Sequence, residues 1–223
     1  MAIRTLVIAP HPDDETLGCG GTLLKRKSQN ASIAWLIITG IKEEDGWPKE
    51  KVINREKEIK RVEFEYDFDH VYNLKKPAAL LDKLPLAELI KEISFVFNDF
   101  KPEEIFLPHW NDIHSDHRVT FEASIACSKS FRNPQIRNIF AYETLSETEF
   151  SYKSNDSFNP NYFIDISNFL EKKIEIISTF QSEISDFPFP RSIEMIRSLS
   201  KIRGSRCGCK AAESFQAIFQ REK

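Results

Sequence analysis

No stretch of this chain approaches the roughly 20 consecutive apolar residues of a membrane span. The apolar run at the start, Ile3-Arg4-Thr5-Leu6-Val7-Ile8, is too short for a signal-peptide core, and no cleavage region follows it. A cytoplasmic protein without membrane association is expected. Excess positive charge is missing too. The 31 Lys and Arg are interspersed with 34 Asp and Glu for a net charge of −3, which excludes a general basic surface for nucleic acid. Cysteine is limited to Cys19, Cys127, Cys207 and Cys209. Cys207-Gly208-Cys209 has no second paired cluster with which to build a structural zinc site, so reduced thiols without a role are expected. Gly18, Gly20 and Gly21 lack the G-x-G-x-x-G spacing, which argues against a nucleotide cofactor. Internal repeats and low-complexity linkers are absent. With 223 residues, 41% of them hydrophobic, the chain can bury a sizeable core, and one domain over residues 1–223 is expected.

What the chain does have is clustered histidine. Four of the five fall in two short segments, His11-Pro12-Asp13-Asp14-Glu15 and the ten residues from His109 to Arg118, which together carry five carboxylates. Imidazole plus carboxylate is the ligand set of a hydrolytic metal site, with Zn²⁺ preferred and Fe²⁺, Co²⁺ and Mn²⁺ accepting similar donors. A catalytic zinc keeps three protein ligands and one open position. His11, His117 and one aspartate can ligate, a second aspartate can act as base, and His114 can donate to an oxyanion and protonate a leaving amine. Spacing leaves the roles open. His114 and His117 are three apart and either can be the ligand; Asp13 and Asp14 can also cap the helix that follows. Trp110 can stack on a face of the substrate or simply pack, Tyr142-Glu143 can reach the site or be structural, and solitary His70 is not expected to be a ligand.

Hydrophobic patterning predicts strands over residues 3–9, 31–39, 70–74 and 104–108, with helices over 22–27, 49–64, 84–100 and 118–131 between and after them. This β-α alternation implies a Rossmann-like α/β fold, a mostly parallel sheet flanked by helices on both faces. Both histidine clusters directly follow a strand, and ligands bind beyond the carboxyl ends of such strands. Further on, strands are expected over 137–142 and 162–165, and a loop or lid shaping the substrate subsites over 143–160. Helices are expected over 167–180 (with Ser167 as N-cap), near 192–202 and near 210–219.

The two clusters carry a resemblance. Ala9-Pro10-His11-Pro12-Asp13-Asp14-Glu15, followed by Gly18, Gly20, Gly21 and Thr22, and Asp112-Ile113-His114-Ser115-Asp116-His117-Arg118, with its His-x-Asp-His pattern, resemble the PIG-L/LmbE-like de-N-acetylase family. Thr39-Gly40, Arg55-Glu56, Arg203-Gly204 and Ala212-Glu213-Ser214-Phe215 extend the likeness over nearly the whole chain. The resemblance implies that His11, Asp14 and His117 hold zinc and that Asp13 is the base. His114 would be oxyanion stabiliser and acid, Asp116 would orient His114, and Arg55 would position substrate. It implies removal of an acetyl group from an N-acetylglucosamine-type sugar, a small-molecule partner; self-association is left open. The chain departs from the family where a Leu-Gly pair is expected before the third strand and Arg61 to Tyr66 stands instead. Two other functions remain in play: hydrolysis of a different N-acyl group or ester, and a non-catalytic metal- or sugar-binding module.

Overall fold

The computed structural model describes residues 3–152 and 156–222. The elements run β1 (Arg4–Ala9), α1 (Asp14–Ser28), β2 (Ser32–Gly40), α2 (Lys49–Tyr66), β3 (His70–Pro77), α3 (Leu86–Phe100), β4 (Glu104–Pro108) and α4 (Ser115–Cys127). Then come β5 (Asn138–Tyr142), β6 (Tyr162–Asp165), α5 (Leu170–Ile177), α6 (Ile193–Cys207) and β7 (Ala212–Gln220). The strands form one sheet in the order β3-β2-β1-β4-β5-β7-β6. From β3 across to β5 the neighbours are parallel, while β7 runs antiparallel to both β5 and β6.

The period of two in the strands splits the core between the two faces of the sheet. Val7 and Ala9 of β1 join Trp35 and Ile37 of β2 against Leu23 of α1, Tyr66 of α2 and Ile174 of α5. Leu6 and Ile8 join Leu36 and Ile38 on the other face, against Ile93 and Phe97 of α3 and Ala123 of α4. The expected two-faced, mostly parallel sheet is therefore present. α3 is where the helical stripe was plainest: Leu89, Ile93, Val96 and Phe97 recur at three- and four-residue steps, and all are buried.

Three expectations about elements change. The segment expected as a helix near 210–219 is β7. Its alternate residues Phe215 and Ala217 turn to one core face, while the next alternate residue, Phe219, packs against the other, across a bulge in the β5–β7 register. The first helix starts at Asp14 rather than Thr22 and is kinked at Cys19, where φ is −145°. The kink frees the backbone N–H groups of Gly21 and Thr22, and the buried Glu213 carboxylate accepts both, at 2.8 and 2.7 Å. Ser167 does not cap α5, which begins after Phe169; its hydroxyl instead donates to Asp165 Oδ1 at 2.5 Å. Where the family's Leu-Gly pair is missing, Asp67 ends α2 in the left-handed region at φ 51°. Aspartate tolerates that conformation better than most residues do, so the turn survives without glycine.

Candidate active site

β1 is flanked by β2 on one side and β4 on the other, so the chain winds outward in opposite directions from the β1–β4 pair. The crevice beyond the carboxyl ends of such a pair is the natural ligand site of an open α/β sheet. The segment after β1 carries His11, Asp13 and Asp14, and the segment after β4 carries His109 to His117. Two clusters about a hundred positions apart are thus brought together by strand pairing. Thr39 at the end of β2 ties down the first segment, donating both its N–H (2.9 Å) and its hydroxyl (2.8 Å) to the Pro10 carbonyl.

His11, Asp14 and His117 each offer a donor atom, and these atoms lie within 4.8 Å of one another. Asp14 Oδ2 stands 3.2 Å from His11 Nδ1 and 3.2 Å from His117 Nε2. His117 Nδ1 is held 2.8 Å from Asp112 Oδ2, and Asp112 Oδ1 accepts from the Thr148 hydroxyl at 2.7 Å. With Nδ1 engaged by a carboxylate, the ring's other nitrogen is left to ligate. That nitrogen, Nε2, is buried and makes no well-directed hydrogen bond among the described residues, although it faces Asp14 Oδ2 at 3.2 Å. A divalent cation shared with His11 and Asp14 would satisfy it better than that contact does. The donor set therefore fits the implied metal.

A second trio, His11, His114 and Asp116, also converges. Its atoms are already occupied. Asp116 Oδ2 accepts from Ala79 N–H at 2.7 Å and Oδ1 from Leu81 N–H at 3.1 Å. His114 Nδ1 accepts the Asp116 backbone N–H at 3.1 Å. Asp116 was expected to orient His114; the contact to the His114 ring comes from the Asp116 main chain, while its carboxylate stands 3.1 Å from His11 Nε2. The geometry leaves the His114 proton on Nε2, and His114 lines the cavity.

The charges are strongly coupled. Burial would lower the His11 pKa, but hydrogen bonds to Asp116 and Asp14 raise it to about 9. Burial also opposes charge on Asp14, yet the neighbouring His117 and the His11 hydrogen bond hold its carboxyl well below the usual range. Asp13 is pushed up to about 7, first by burial and then by the charge of Asp14. Burial is the leading cause that lowers the His114 pKa, with His11 and His117 adding to it.

Asp13 lies at φ 145°, ψ −29°, a conformation L residues rarely adopt. Its N–H donates to the buried Glu15 carboxylate at 3.1 Å, and its carbonyl accepts from Thr16 and Leu17 N–H at 2.9 Å each. Arg191 Nη1 donates to Asp13 Oδ2 at 2.9 Å. Sequence reasoning missed Arg191, which lies 178 positions away in an irregular Phe-Pro segment with no periodic signal. It missed the Asp112 role too, although Asp112 opens the second motif.

A cavity of about 660 Å³ opens over these groups, lined by His11, Asp13 and His114 on the catalytic side. Arg55, Glu58 and Trp47 line one wall, and Glu183 and Arg191 another. Arg55 thus reaches the cavity as expected, though its guanidinium already donates to the Pro12 carbonyl at 2.9 Å and pairs with Glu183. Trp110 does not line the cavity. It packs between His109 and Phe121, at ring-centre distances of 4.0 and 5.4 Å. No described residue of 143–160 lines the cavity either. Instead Ser146, Glu147 and Thr148 brace it from behind, through Arg191 and Asp112; residues 153–155 of that expected lid lie outside the described residues. Gly18 serves packing: a Cβ there would fall 2.2 Å from the Tyr142 ring.

Fold and site together define the class, a Rossmann-like hydrolase built around an imidazole–carboxylate centre. The chain belongs to the PIG-L family, whose GlcNAc-PI de-N-acetylase model matches residues 6–128. It is 27% identical to the diacetylchitobiose deacetylase of Thermococcus kodakarensis over 229 residues, covering 96% of this chain and 83% of the relative. The crystal structure of the conserved protein TT1542 from Thermus thermophilus superposes with a TM-score of 0.77 at 25% identity, covering 99% of this chain and 97% of that one. GalB, the 4-carboxy-2-hydroxymuconate hydratase of Pseudomonas putida, shares the fold at a TM-score of 0.71 and 15% identity, covering 99% and 98%. The fold therefore hosts more than one reaction, and the site has to decide. No helix of the described residues is long and apolar enough to cross a membrane.

Proposed function

We propose that this protein is a zinc-dependent de-N-acetylase of N-acetylglucosamine-type sugars or their conjugates, with a small-molecule substrate bound in the cavity over His11, Asp13 and His114. The observation that carries the reading is the convergence of donor atoms from His11, Asp14 and His117, with His117 Nδ1 held from behind by Asp112 and its buried Nε2 making no well-directed hydrogen bond. The same chemistry is named for the Thermococcus relative. His11, Asp14 and His117 would hold the ion, which when bound supplies Lewis acidity and lowers the pKa of water toward ~7.

The chain's own groups do the rest. Asp13 faces the cavity beside the ligand cluster and takes a proton from the attacking water. Arg191 fixes the direction of that carboxylate. His114 donates its Nε2 proton in a hydrogen bond to the carbonyl oxygen as negative charge develops there. Its Nδ1 is engaged as an acceptor by the Asp116 N–H, so the ring suits neutral donation rather than acid duty. The proton for the departing amine then returns from Asp13. Bond by bond, the acyl C–N bond breaks, a C–O bond forms from water, and the products are acetate and the free amine.

The test is acetate release from N-acetylglucosamine conjugates, N,N'-diacetylchitobiose included. Chelation should abolish it and Zn²⁺ should restore it. Undiminished turnover after complete removal of metal would overturn the reading.

A further inference from the structure

The four cysteines are free thiols that the hydrolytic step leaves unused. Cys19 and Cys127 are buried, and each donates to a main-chain carbonyl, of Glu15 at 3.3 Å and of Ile90 at 3.4 Å. Cys207 and Cys209 are placed differently. Cys207 is the last residue of α6 and is exposed, Cys209 is half-buried ahead of β7, and their sulfurs stand 3.4 Å apart. That is inside the ~4 Å of ordinary side-chain contact. Gly208 between them ends the helix at φ 81°, in the left-handed region, and a Cβ there would meet nothing within 4 Å. The position calls for glycine through its backbone conformation and not through crowding. The Cys209 N–H closes the turn on the Gly204 carbonyl at 3.0 Å. A Cβ on Gly204 would fall 2.7 Å from the Cys209 carbonyl oxygen, so the turn is pressed against α6. Neither thiol lines the cavity, and among the described residues neither belongs to a donor group able to hold an ion.

We propose that Cys207 and Cys209 form a modification site, a dithiol that hydrogen peroxide converts to an intrachain disulfide and that low-molecular-weight thiols restore. Susceptibility to peroxide follows exposure and thiolate character. Cys207 is the exposed sulfur, whereas partial burial, then Cys207 and Asp165, push the Cys209 thiol up to about 11. Cys207 is therefore attacked first and Cys209 resolves. The Cys207 sulfur takes one peroxide oxygen: the O–O bond breaks, an S–O bond forms, and one water leaves. The Cys209 sulfur then attacks the Cys207 sulfur. The S–S bond forms, the S–O bond breaks, and the departing hydroxide takes the Cys209 proton as a second water. Two thiols are oxidised and one peroxide is reduced. Because the second sulfur already touches the first, capture outruns further oxidation of Cys207 to sulfinic acid. The exposed bridge is open to attack by a thiolate, which reverses the step.

In the experiment the folded full-length chain is treated with hydrogen peroxide, then unfolded in an alkylating reagent and mapped by mass spectrometry. In the wild type Cys207 and Cys209 are expected to escape alkylation together, in a peptide lighter by two hydrogens, while buried Cys19 and Cys127 are alkylated in full. Dithiothreitol applied before alkylation should return both thiols. Cys209→Ser should leave Cys207 as a sulfenic acid that dimedone traps, with its sulfinic form at least roughly tenfold more abundant than in the wild type. Cys207→Ser should slow the loss of the Cys209 thiol by at least roughly tenfold, because the more reactive sulfur is gone. Four outcomes overturn the site: no peroxide-dependent loss of the two thiols, sulfinic acid at Cys207 of the wild type in place of the bridge, a disulfide between two copies of the chain, or a bridge that dithiothreitol leaves intact. An unchanged rate of Cys209 loss in Cys207→Ser overturns the order of attack.

Discussion

Asp13 and Asp14 are chemically identical neighbours assigned to different work, and the difference lies in what surrounds each carboxylate. Asp14 sits between two imidazoles, which keep it ionised and close to both rings. Asp13 is turned away by an unusual backbone angle and meets Arg191 and the cavity instead. Replacing Asp13 by Asn should leave bound zinc near stoichiometric, read by metal analysis, and lower kcat by roughly 10²- to 10⁴-fold, the usual worth of a positioned base. Full activity in that variant would remove Asp13 from the role. Asp112→Asn acts through His117. With the Nδ1 partner weakened, zinc affinity should fall by roughly 10- to 100-fold in competition with a chelator. Unchanged affinity would mean that Asp112 does not tune the ligand. The two clusters were readable from residue chemistry alone, because His and Asp gathered in two short segments have few bland uses, whereas the ligand set within them came from the family resemblance. Arg191 was not, since an arginine in an irregular loop carries no pattern and its partner is chosen only by the folded chain.

At the scale of elements, the parallel half of the sheet was legible because its strands are short apolar runs separated by helices with a clear stripe. β7 was not. Its residues Ala212 to Gln220 mix alanine, glutamate and glutamine with phenylalanine, and no local preference opposes a helix; the gap between β5 and β6 decides the matter. The kink in α1 was also hidden, because it depends on Glu213 arriving from β7 to accept two freed N–H groups. Glu213 in turn pairs with the buried Lys173, Nζ to Oε1 at 2.7 Å. Glu213→Ala should therefore strand a buried ammonium and two helix donors together, at a cost of about 3–5 kcal/mol in denaturant unfolding. A loss below about 1 kcal/mol would show that water or another group replaces the carboxylate. Gly18→Ala tests packing at the same helix. The new methyl group would overlap the Tyr142 ring, and about 1–3 kcal/mol of destabilisation is expected from overpacking.

For the molecule as a whole, the proposed ligand cluster joins segments held by β1 and β4 at the middle of the sheet. An ion that binds only where these meet stabilises the folded state by mass action, by about 2.7 kcal/mol when free metal exceeds its dissociation constant a hundredfold. Zinc should raise the thermal midpoint of the wild type and have little effect on His117→Ala. An equal rise in both would place the stabilising ion elsewhere.

The cavity is assembled from parts of separate origin. Its floor comes from the turns after β1 and β4, whereas its sides come from Trp47 to Glu58 and from Gln181 to Arg191. Bond breaking and admission thus have different addresses in the gene. Mutational libraries confined to residues 47, 51 and 54 could explore new clientele for this enzyme while the hydrolytic engine beneath them keeps running.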